Sequence, residues 1–291
     1  MANSYLANPR ETRAVLERHG FSVKHRLGQN FLVNDAVIGR ILALAELEPS
    51  DVVYEIGPGI GTLTVAMLPR VRRVVAVEAD KSLPPVLADT CARDGEKLSL
   101  VQGDALKVTP ADLEAAAGEA PNKLVSNLPY QVAATVILDT LQTMPSVRCL
   151  VVMVQAEVAD RISARSGTKE YGAYTAKLAL YGQVTGRFEV GPGNFMPAPH
   201  VDSAVVRIDR TEAPDADLAQ VAQVIDAAFA QRRKTIRNSM AAKGYDKAVL
   251  DAAFEVAGID PRARAEVLSV SDFVRLAEEV SKRECFSAES R

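Results

Sequence analysis

Residues 52–61 of the chain are Val52-Val53-Tyr54-Glu55-Ile56-Gly57-Pro58-Gly59-Ile60-Gly61. Four of the first five residues of this stretch are apolar, as is typical of a compact buried β-strand. The second half places glycine at every other position, which permits a tight turn and a close approach of the backbone to a ligand. A helical pattern begins at Leu63, directly after this loop. This succession predicts the first unit of an α/β sheet with a ligand site at its edge.

Further apolar runs continue the same pattern. They lie at 74–77, 98–101, 123–126 and 149–154, and helical segments around 83–91, 113–117 and 132–141 separate them. Strands that alternate with helices form right-handed βαβ units and a mainly parallel sheet covered on both faces. The last two strands, at 187–190 and 201–208, are separated only by a Gly/Pro-rich loop, so we expect an antiparallel pair at the sheet edge.

The two ends of the chain depart from this pattern. Residues 1–30 are polar and are expected to be only partly ordered, whereas Asn34 is placed to cap a helix that ends near Pro49. A polar linker runs from Thr211 to Asp217, and the segments beyond it, 218–230, 247–257 and 274–280, are helical in pattern. The sequence therefore predicts two domains, 1–209 with the sheet and 210–291 entirely helical.

Composition argues against several classes of protein. The chain has 291 residues, of which 48% are hydrophobic, and a net charge of −3. No apolar run approaches the ~20 residues of a membrane helix, and the N-terminus lacks the pattern of a signal peptide. Cys91, Cys149 and Cys285 are far apart, which argues against disulfides and a cysteine metal site. We expect a cytoplasmic, monomeric protein without a metal ion.

Polar residues or glycines follow consecutive strands of the predicted sheet. They are the glycine loop after the first strand, then Glu78, Asp104 and Asn127. Ligands on open α/β sheets bind outside the carboxyl ends of the strands, so these groups are expected to line one site. An acid about 20 residues beyond a glycine loop suits ribose hydroxyls, and Asp104 can accept from an adenine amine. Taken singly, each acid could equally cap a helix.

The spacing of the glycines narrows the choice of cofactor. Gly61 comes one residue too early for the dinucleotide pattern Gly-x-Gly-x-x-Gly, and no Lys-Ser/Thr pair follows as in a phosphate-binding loop. S-adenosylmethionine fits a site that holds ribose and adenine without a phosphate clamp.

The fourth strand of the series ends in Asn127-Leu128-Pro129-Tyr130. Pro129 fixes its own φ and biases Leu128 toward extended angles, so this corner is rigid. The Asn127 amide and the Leu128 carbonyl can accept hydrogen bonds from an amine on an aromatic base, and Tyr130 offers a face for stacking. The alternative is a strand-to-helix loop whose tyrosine only closes the core.

These motifs, in this order, resemble those of the KsgA/RsmA-type ribosomal RNA adenine dimethyltransferases. The matching segments are 28–32, 55–59, 77–80, 102–105, 127–130, 195–205 and 228–238, so the resemblance covers almost the full chain. Ala79 stands where that family usually has a larger apolar residue.

The resemblance implies a Rossmann-like S-adenosylmethionine-dependent methyltransferase sheet with a small C-terminal all-helical domain that binds RNA. The implied reaction is methylation of the exocyclic amines of two adjacent adenines near the 3′ end of small-subunit (16S) ribosomal RNA. The implied substrate is that RNA, or the pre-assembled small subunit, during ribosome biogenesis.

The resemblance also implies residue roles. The residues expected to bind the cofactor are Gln29, Asn30, Leu32, Gly57, Gly59, Glu78, Asp104, Ala105 and Asn127. The residues expected to contact the target adenine are Asn127, Leu128, Pro129, Tyr130 and Phe195. Phe195 lies in a loop that is expected to close over the base. Arg232, Arg233, Lys234 and Arg237 are the candidates for RNA contact, with positions 233 and 237 on one helix face. Phe195 could instead anchor its loop in the core, and the basic side chains could simply face solvent.

Two rival functions stay open on the sequence. One is a large-subunit ribosomal RNA adenine methyltransferase that confers antibiotic resistance, which shares the corner and the cofactor loops; the 231–238 segment argues against it. The other is a non-catalytic RNA- or DNA-binding assembly or transcription factor on the same fold. Loss of Asn127, Pro129 or Tyr130 would favour that interpretation, and all three are present.

Overall fold

The computed structural model describes residues 2–22 and 29–289, with only the backbone of residues 284–289. Its strands are β1 (Phe31–Leu32), β2 (Val52–Ile56), β3 (Arg73–Glu78), β4 (Leu98–Gln102), β5 (Lys123–Asn127), β6 (Cys149–Gln155), β7 (Gly182–Val190), β8 (Phe195–Met196) and β9 (Ser203–Arg210). Its helices are α1 (Pro9–Arg18), α2 (Asp35–Ala45), α3 (Thr62–Met67), α4 (Pro84–Thr90), α5 (Pro110–Ala117), α6 (Ala133–Thr143), α7 (Ala156–Ser163), α8 (Ala173–Leu178), α9 (Leu218–Phe229), α10 (Ile236–Ala241), α11 (Lys247–Ala257) and α12 (Val270–Glu289).

The larger sheet has seven strands in the order β4-β3-β2-β5-β6-β9-β7. Strands β2 to β6 pair in parallel, and β9 runs antiparallel to β6. Every residue of β2 is buried, which explains why apolar residues occupy both of its faces, with Glu55 as the one charged exception. The predicted α/β class and Rossmann-like sheet are confirmed.

Local signals in the sequence account for the helices that flank the sheet. The Asn34 side chain accepts a hydrogen bond from the backbone N–H of Ala36, which makes it the predicted N-cap of α2. Thr109 and Asp112 form a capping box at the start of α5. The α2 residues Val37, Ile38, Ile41 and Leu42 are buried in the same apolar cluster as the central strands.

The N-terminal segment is more ordered than its polar sequence predicts. Residues 9–18 form α1, with Asn8 as the N-cap and Pro9 at the first helical position. Leu6 and Val15 are buried in a cluster with Phe31, Ile60, Leu83 and Val86. The expectation of partial order is wrong for residues 2–22, because a few apolar side chains suffice to dock this helix. Residues 23–28, including the basic residues Lys24 and Arg26, lie outside the described residues.

The chain divides into two compact units that differ from the predicted domains. The first contains residues 1–159 and 184–210, and the second contains residues 160–183 and 211–291. The chain leaves the sheet unit after Arg210, close to the predicted boundary, but residues 160–183 belong with the C-terminal helices. Tyr171, Ala176 and Leu180 are buried in one apolar cluster with side chains of α9 to α12. Such long-range packing leaves no local mark in the sequence.

The Gly/Pro-rich loop between β7 and β9 has structure of its own. Strands β9 and β7 are neighbours at the sheet edge. Within the loop, β8 pairs antiparallel with β1, with Leu32 opposite Phe195 and Phe31 opposite Met196. Within the described residues, no helix is both long and apolar enough to cross a membrane.

Candidate active site

A cavity of about 400 Å³ lies at the carboxyl ends of β2, β3, β4 and β5. The chain builds β3 and β4 on one side of β2 and then crosses to β5 and β6 on the other, so the strand order reverses beside β2. Such a switch point is where open α/β sheets bind ligands. The predicted cofactor residues Gln29, Asn30, Leu32, Gly57, Gly59, Glu78, Asp104, Ala105 and Asn127 all line this cavity.

The glycine loop has a backbone conformation and close contacts that would strain a side chain at Gly57 or Gly59. Gly57 and Gly59 have φ values of +64° and +62°, in the left-handed region. A Cβ atom at Gly57 would lie 3.2 Å from Cγ of Pro129, and one at Gly59 would lie 3.2 Å from Cε1 of Phe31. The loop therefore packs directly against the Asn127–Tyr130 corner on one side and against β1 on the other.

Ser126 connects the glycine loop to the Asn127–Tyr130 corner through hydrogen bonds. Its hydroxyl donates to the Ile56 carbonyl at 2.6 Å and accepts from the Ile56 backbone N–H at 3.2 Å. These two bonds connect Ile56, the last residue of β2 before the glycine loop, to Ser126, the residue before Asn127 in β5. No sequence pattern indicated this role, because a serine near a strand end has many uses.

The segment before β1 reaches the loop that follows β3. Nε2 of Gln29 donates to Oδ2 of Asp80 at 2.9 Å. Asp80 also accepts hydrogen bonds from the backbone and the hydroxyl of Ser82. The start of the matching motif, Gly28, lies outside the described residues.

Glu78 lies at the end of β3 and is 6% exposed. Its carboxylate accepts hydrogen bonds from the backbone N–H of Asp80 at 2.8 Å and of Gly59 at 3.3 Å. Burial raises the pKa of Glu78, and these N–H groups oppose the rise. Asp104 is exposed at the rim, where its Oδ1 accepts from the N–H of Leu106.

Glu55 is a second buried carboxyl group in the cavity, and sequence reasoning assigned it no role. It is 2% exposed, and Oγ1 of Thr64 donates to its Oε2 at 2.7 Å. Burial raises the pKa of Glu55 to about 8, with the Thr64 hydroxyl opposing the rise and the nearby Glu78 adding to it. A signal was available, since Glu55 is the one charged residue in the strand Val52–Ile56.

The corner at the end of β5 faces the same cavity. Asn127, Leu128, Pro129 and Tyr130 all line it. Nδ2 of Asn127 lies 3.5 Å from the Asn30 carbonyl oxygen, the outer limit for a hydrogen bond. The Tyr130 hydroxyl is 2.8 Å from Oγ of Ser203, and this bond fixes the direction of the ring.

Phe195 does not line the cavity. Its side chain is 5% exposed and packs in the main apolar cluster of the sheet unit, while its backbone pairs with Leu32. The pairing of β8 with β1 directs the Phe195 ring into the core. This matches the alternative in which Phe195 anchors its loop. In this conformation Phe195 offers no face to a base, and its contact with the target adenine stays a prediction.

The basic candidates lie in the second unit and have unequal surroundings. Arg232 donates to Glu266 at 3.2 Å and to the carbonyls of Lys169 and Tyr171. Arg237 forms a two-bond ion pair with Asp251. Arg233 and Lys234 are exposed, and neither makes an ion pair within the described part of the chain. Positions 233 and 237 do not share a helix face, because α9 ends at Phe229 and α10 begins at Ile236.

The lining of the cavity suits a positively charged nucleoside. Glu55, Glu78 and Asp104 line it, and no Lys, Arg or His of the described residues does. Its size, acids and Gly-lined wall fit S-adenosylmethionine, which carries a sulfonium cation and an adenosine. Among the described residues, no group of three or more His, Cys, Asp or Glu side chains is arranged to hold a metal ion.

Comparison with known proteins supports this fit. The family model described as ribosomal RNA adenine dimethylase matches residues 20–282. The chain belongs to the ribosomal RNA adenine dimethylase family. As a member, it is an S-adenosylmethionine-dependent methyltransferase with the predicted Rossmann-like fold, and the predicted cofactor and enzyme class are confirmed.

Relatives of this dimethylase match it over nearly their whole length. A Thermobifida fusca protein named ribosomal RNA small subunit methyltransferase A is 42% identical, covering 95% of this chain and 97% of the relative. A Leifsonia xyli protein of the same name is 43% identical, covering 94% and 98% respectively.

Solved structures share the fold. The crystal structure of a dimethyladenosine transferase from Plasmodium falciparum has a TM-score of 0.77 at 24% identity, covering 87% of this chain and 98% of that one. The crystal structure of the 23S rRNA methyltransferase ErmE has a TM-score of 0.65 at 26% identity, covering 87% and 100%.

Proposed function

We propose that this dimethylase transfers methyl groups from S-adenosylmethionine to the exocyclic amines of two adjacent adenines near the 3′ end of small-subunit ribosomal RNA. One observation supports this most: the corner Asn127–Tyr130 lines the same cavity as the glycine loop and Glu78. Hydrogen-bond acceptors for an adenine amine and a binding site for a nucleoside cofactor therefore lie in one cavity. Relatives named small subunit methyltransferase A match almost the full chain.

The cofactor is held by the ends of the parallel strands. The Glu78 carboxylate has lone pairs beyond those used by Gly59 and Asp80 and accepts from ribose hydroxyls. Asp104, exposed at the rim, accepts from the adenine amine of the cofactor, and Gln29, Asn30, Leu32 and Ala105 complete the enclosure. When bound, S-adenosylmethionine supplies a methyl group on a sulfonium, which is a good leaving group.

The corner prepares the target amine. An adenine amine is a weak nucleophile because its lone pair is delocalised into the ring. The Asn127 side-chain oxygen and the Leu128 carbonyl accept its N–H hydrogens, which favours a pyramidal nitrogen with its lone pair directed at the methyl carbon. Such positioning can supply effective molarities of roughly 10⁵ M or more without a strong base.

Tyr130 and Pro129 hold the base in place. The target adenine must leave its stack to reach a buried donor, and the Tyr130 ring offers a stacking face worth ~1–3 kcal/mol. The hydrogen bond to Ser203 keeps that ring in one orientation. Burial raises the pKa of Tyr130, and Ser203 opposes the rise, so the hydroxyl stays neutral and serves for orientation rather than proton transfer.

RNA contact is assigned to the second unit. Arg233 and Lys234 present exposed charges. Arg232 supports this surface by connecting its turn to the segment with Lys169 and Tyr171 and to Glu266. The proposal includes action as a monomer in the cytoplasm, where the ribosomal substrate is assembled, either on naked RNA or on a pre-assembled subunit.

The function is tested by supplying the protein with cofactor labelled at the methyl group and with small ribosomal subunits that lack these modifications. The expected result is label on two adjacent adenines near the 3′ end of the small-subunit RNA, as dimethyladenosine. Naked small-subunit RNA, offered in parallel, identifies the form of substrate that is used.

Matched large subunits serve as the control substrate. Label on a single adenine of large-subunit RNA would contradict the proposal and favour the resistance-type activity. Cofactor binding without transfer to any RNA would favour the non-catalytic alternative.

A further inference from the structure

Glu55 and Glu78 are both buried in the cofactor cavity but have different hydrogen-bond donors. Glu78 accepts from two backbone N–H groups, those of Gly59 and Asp80. Within the described part of the chain, the donor to Glu55 is the single hydroxyl of Thr64. Donors to a carboxylate favour its charged form, so Glu55 is the one of the two that retains a proton more readily.

The surroundings of Glu55 are acidic or neutral. The titratable groups that act on it from neighbouring elements are Glu78 on β3 and the thiol of Cys91 after α4. Asp80 lies beyond Glu78, and Asp104 lines the same cavity. No basic side chain of the described residues lines that cavity. A positively charged ligand would compensate a charge on this carboxyl group, which is 2% exposed.

The methyl donor and its product differ by one such charge. S-adenosylmethionine has a sulfonium, and methyl transfer leaves S-adenosylhomocysteine, whose sulfur is a neutral thioether. A nearby cation favours the ionised form of a carboxyl group. A carboxyl group that ionises only beside the cation therefore strengthens binding of the donor and not of the product.

We propose that Glu55 is a charge-responsive specificity residue, which is protonated in the empty cavity, releases that proton to solvent on binding of the sulfonium donor, and regains it with the neutral product. The inference rests on the proposed function only in taking S-adenosylmethionine as donor. It involves no RNA, so its failure would leave the assignment of the methylated adenines untouched.

The direction of the pH dependence follows from burial. Burial raises the pKa of Glu55 to about 8, so below that pH donor binding must first remove a proton. Donor affinity therefore increases as the pH rises toward 8, by up to about tenfold per pH unit, and levels off above it. Affinity for S-adenosylhomocysteine changes less over the same range.

The test is titration calorimetry on the full chain from about pH 6 to about pH 9, in buffers of different ionisation enthalpy that count released protons. The probes are S-adenosylmethionine, the cationic analogue sinefungin, which cannot transfer a methyl group, and S-adenosylhomocysteine. The donor and the product share the same ionisable amino acid part. Its contribution to the pH dependence therefore largely cancels in the ratio of the product and donor dissociation constants. In the unmodified protein this ratio is expected to rise with pH and then to level off.

The variant Glu55→Gln keeps the shape of the side chain and removes its titration. Its donor-over-product preference is expected to be about tenfold lower at about pH 8, independent of pH, and without the extra proton release. An equal loss of affinity for all three ligands would show a purely structural role and overturn the proposal, as would unchanged proton release.

The variant Thr64→Val tests the same idea without touching the carboxyl group. Removal of the hydroxyl disfavours the ionised form, so the midpoint of the pH dependence is expected to move to higher pH while the preference above it persists. If Glu55→Gln shows no cooperative thermal unfolding, Thr64→Val decides alone. A midpoint that does not move would overturn the proposal.

Discussion

The acids of the cavity differ in burial and in hydrogen-bond donors, and this difference separates their roles. Glu78 is buried but accepts two backbone N–H groups, which favours a charged carboxylate able to accept from ribose hydroxyls. Asp104 is exposed at the rim, and the N–H of Leu106 holds it in a turn. Glu55 has a single side-chain donor and responds to the charge of the ligand.

The variant Glu78→Ala is expected to weaken S-adenosylmethionine binding by about 1.5–3 kcal/mol, the usual value of a hydrogen bond to a charged group. Calorimetry or equilibrium dialysis measures this directly. The control is Glu78→Gln, which keeps one acceptor oxygen and should lose less affinity. An unchanged dissociation constant in Glu78→Ala would contradict the assignment of Glu78 to the ribose.

At the scale of elements, β1 lines the cavity and its pairing with β8 connects it to the loop before β9. β1 places Phe31 against the glycine loop, and β8 buries Phe195 in the core. The Asn34 amide donates to Oδ1 of Asn194 at 2.8 Å, which ties the start of α2 to the same loop. The loop before β9 therefore supports the cofactor segment through packing and hydrogen bonds.

The role of Phe195 as an anchor has a measurable consequence. Phe195→Ala is expected to lower the free energy of unfolding by about 3–5 kcal/mol, as for other buried phenylalanines, whereas Phe195→Leu keeps most of the volume and costs less. Denaturant unfolding measures both values. A stable Phe195→Ala variant that had lost turnover on RNA would instead support a direct contact with the base.

The elements that sequence predicts well are those whose signal is local. β2 to β6 are mostly apolar runs, Glu78 and Asn127 end β3 and β5, and Asp104 comes shortly after β4, so both the strands and their shared edge could be predicted. The pairing of Leu32 with Phe195 joins residues far apart in the chain, and each strand has only two residues. No local pattern distinguishes such a pair from a loop.

Two further features could not be predicted from the sequence because they depend on burial by distant residues. The pKa of Glu55 depends on what surrounds the end of β2, which the strand sequence does not contain. The same holds for residues 160–183, whose place with the C-terminal helices depends on the burial of Tyr171 and Leu180 against distant side chains.

At the scale of the whole molecule, charge is distributed unevenly. The net charge of −3 does not favour binding to a polyanion. Local surfaces decide, because solvent screens charges beyond about 8–10 Å. In the second unit, Arg237 forms an ion pair with Asp251, and Arg232 forms one with Glu266. Arg233 and Lys234 are exposed. The exposed pair is therefore the main electrostatic contribution expected from this segment.

Replacement of Arg233 and Lys234 by glutamine should flatten the dependence of RNA affinity on salt. Removing one ion pair with a phosphate lowers the slope of log affinity against log salt by about 0.7–0.9. The matched control is Arg237→Gln, which removes a charge already paired with Asp251 and should change the slope less. A slope unaltered in the double variant would show that both side chains only face solvent.

The proposed mechanism depends above all on the Asn127 amide oxygen and the Leu128 carbonyl, which hold the amine of an unstacked adenine beside the cofactor. The most direct test compares Asn127→Ala with the unmodified protein, with cofactor affinity measured by calorimetry and turnover measured on unmodified small subunits. Cofactor affinity is expected to stay within about tenfold, while turnover falls by about 10²-fold or more. Equal losses in affinity and turnover would show that Asn127 only binds the cofactor, and would contradict this mechanism.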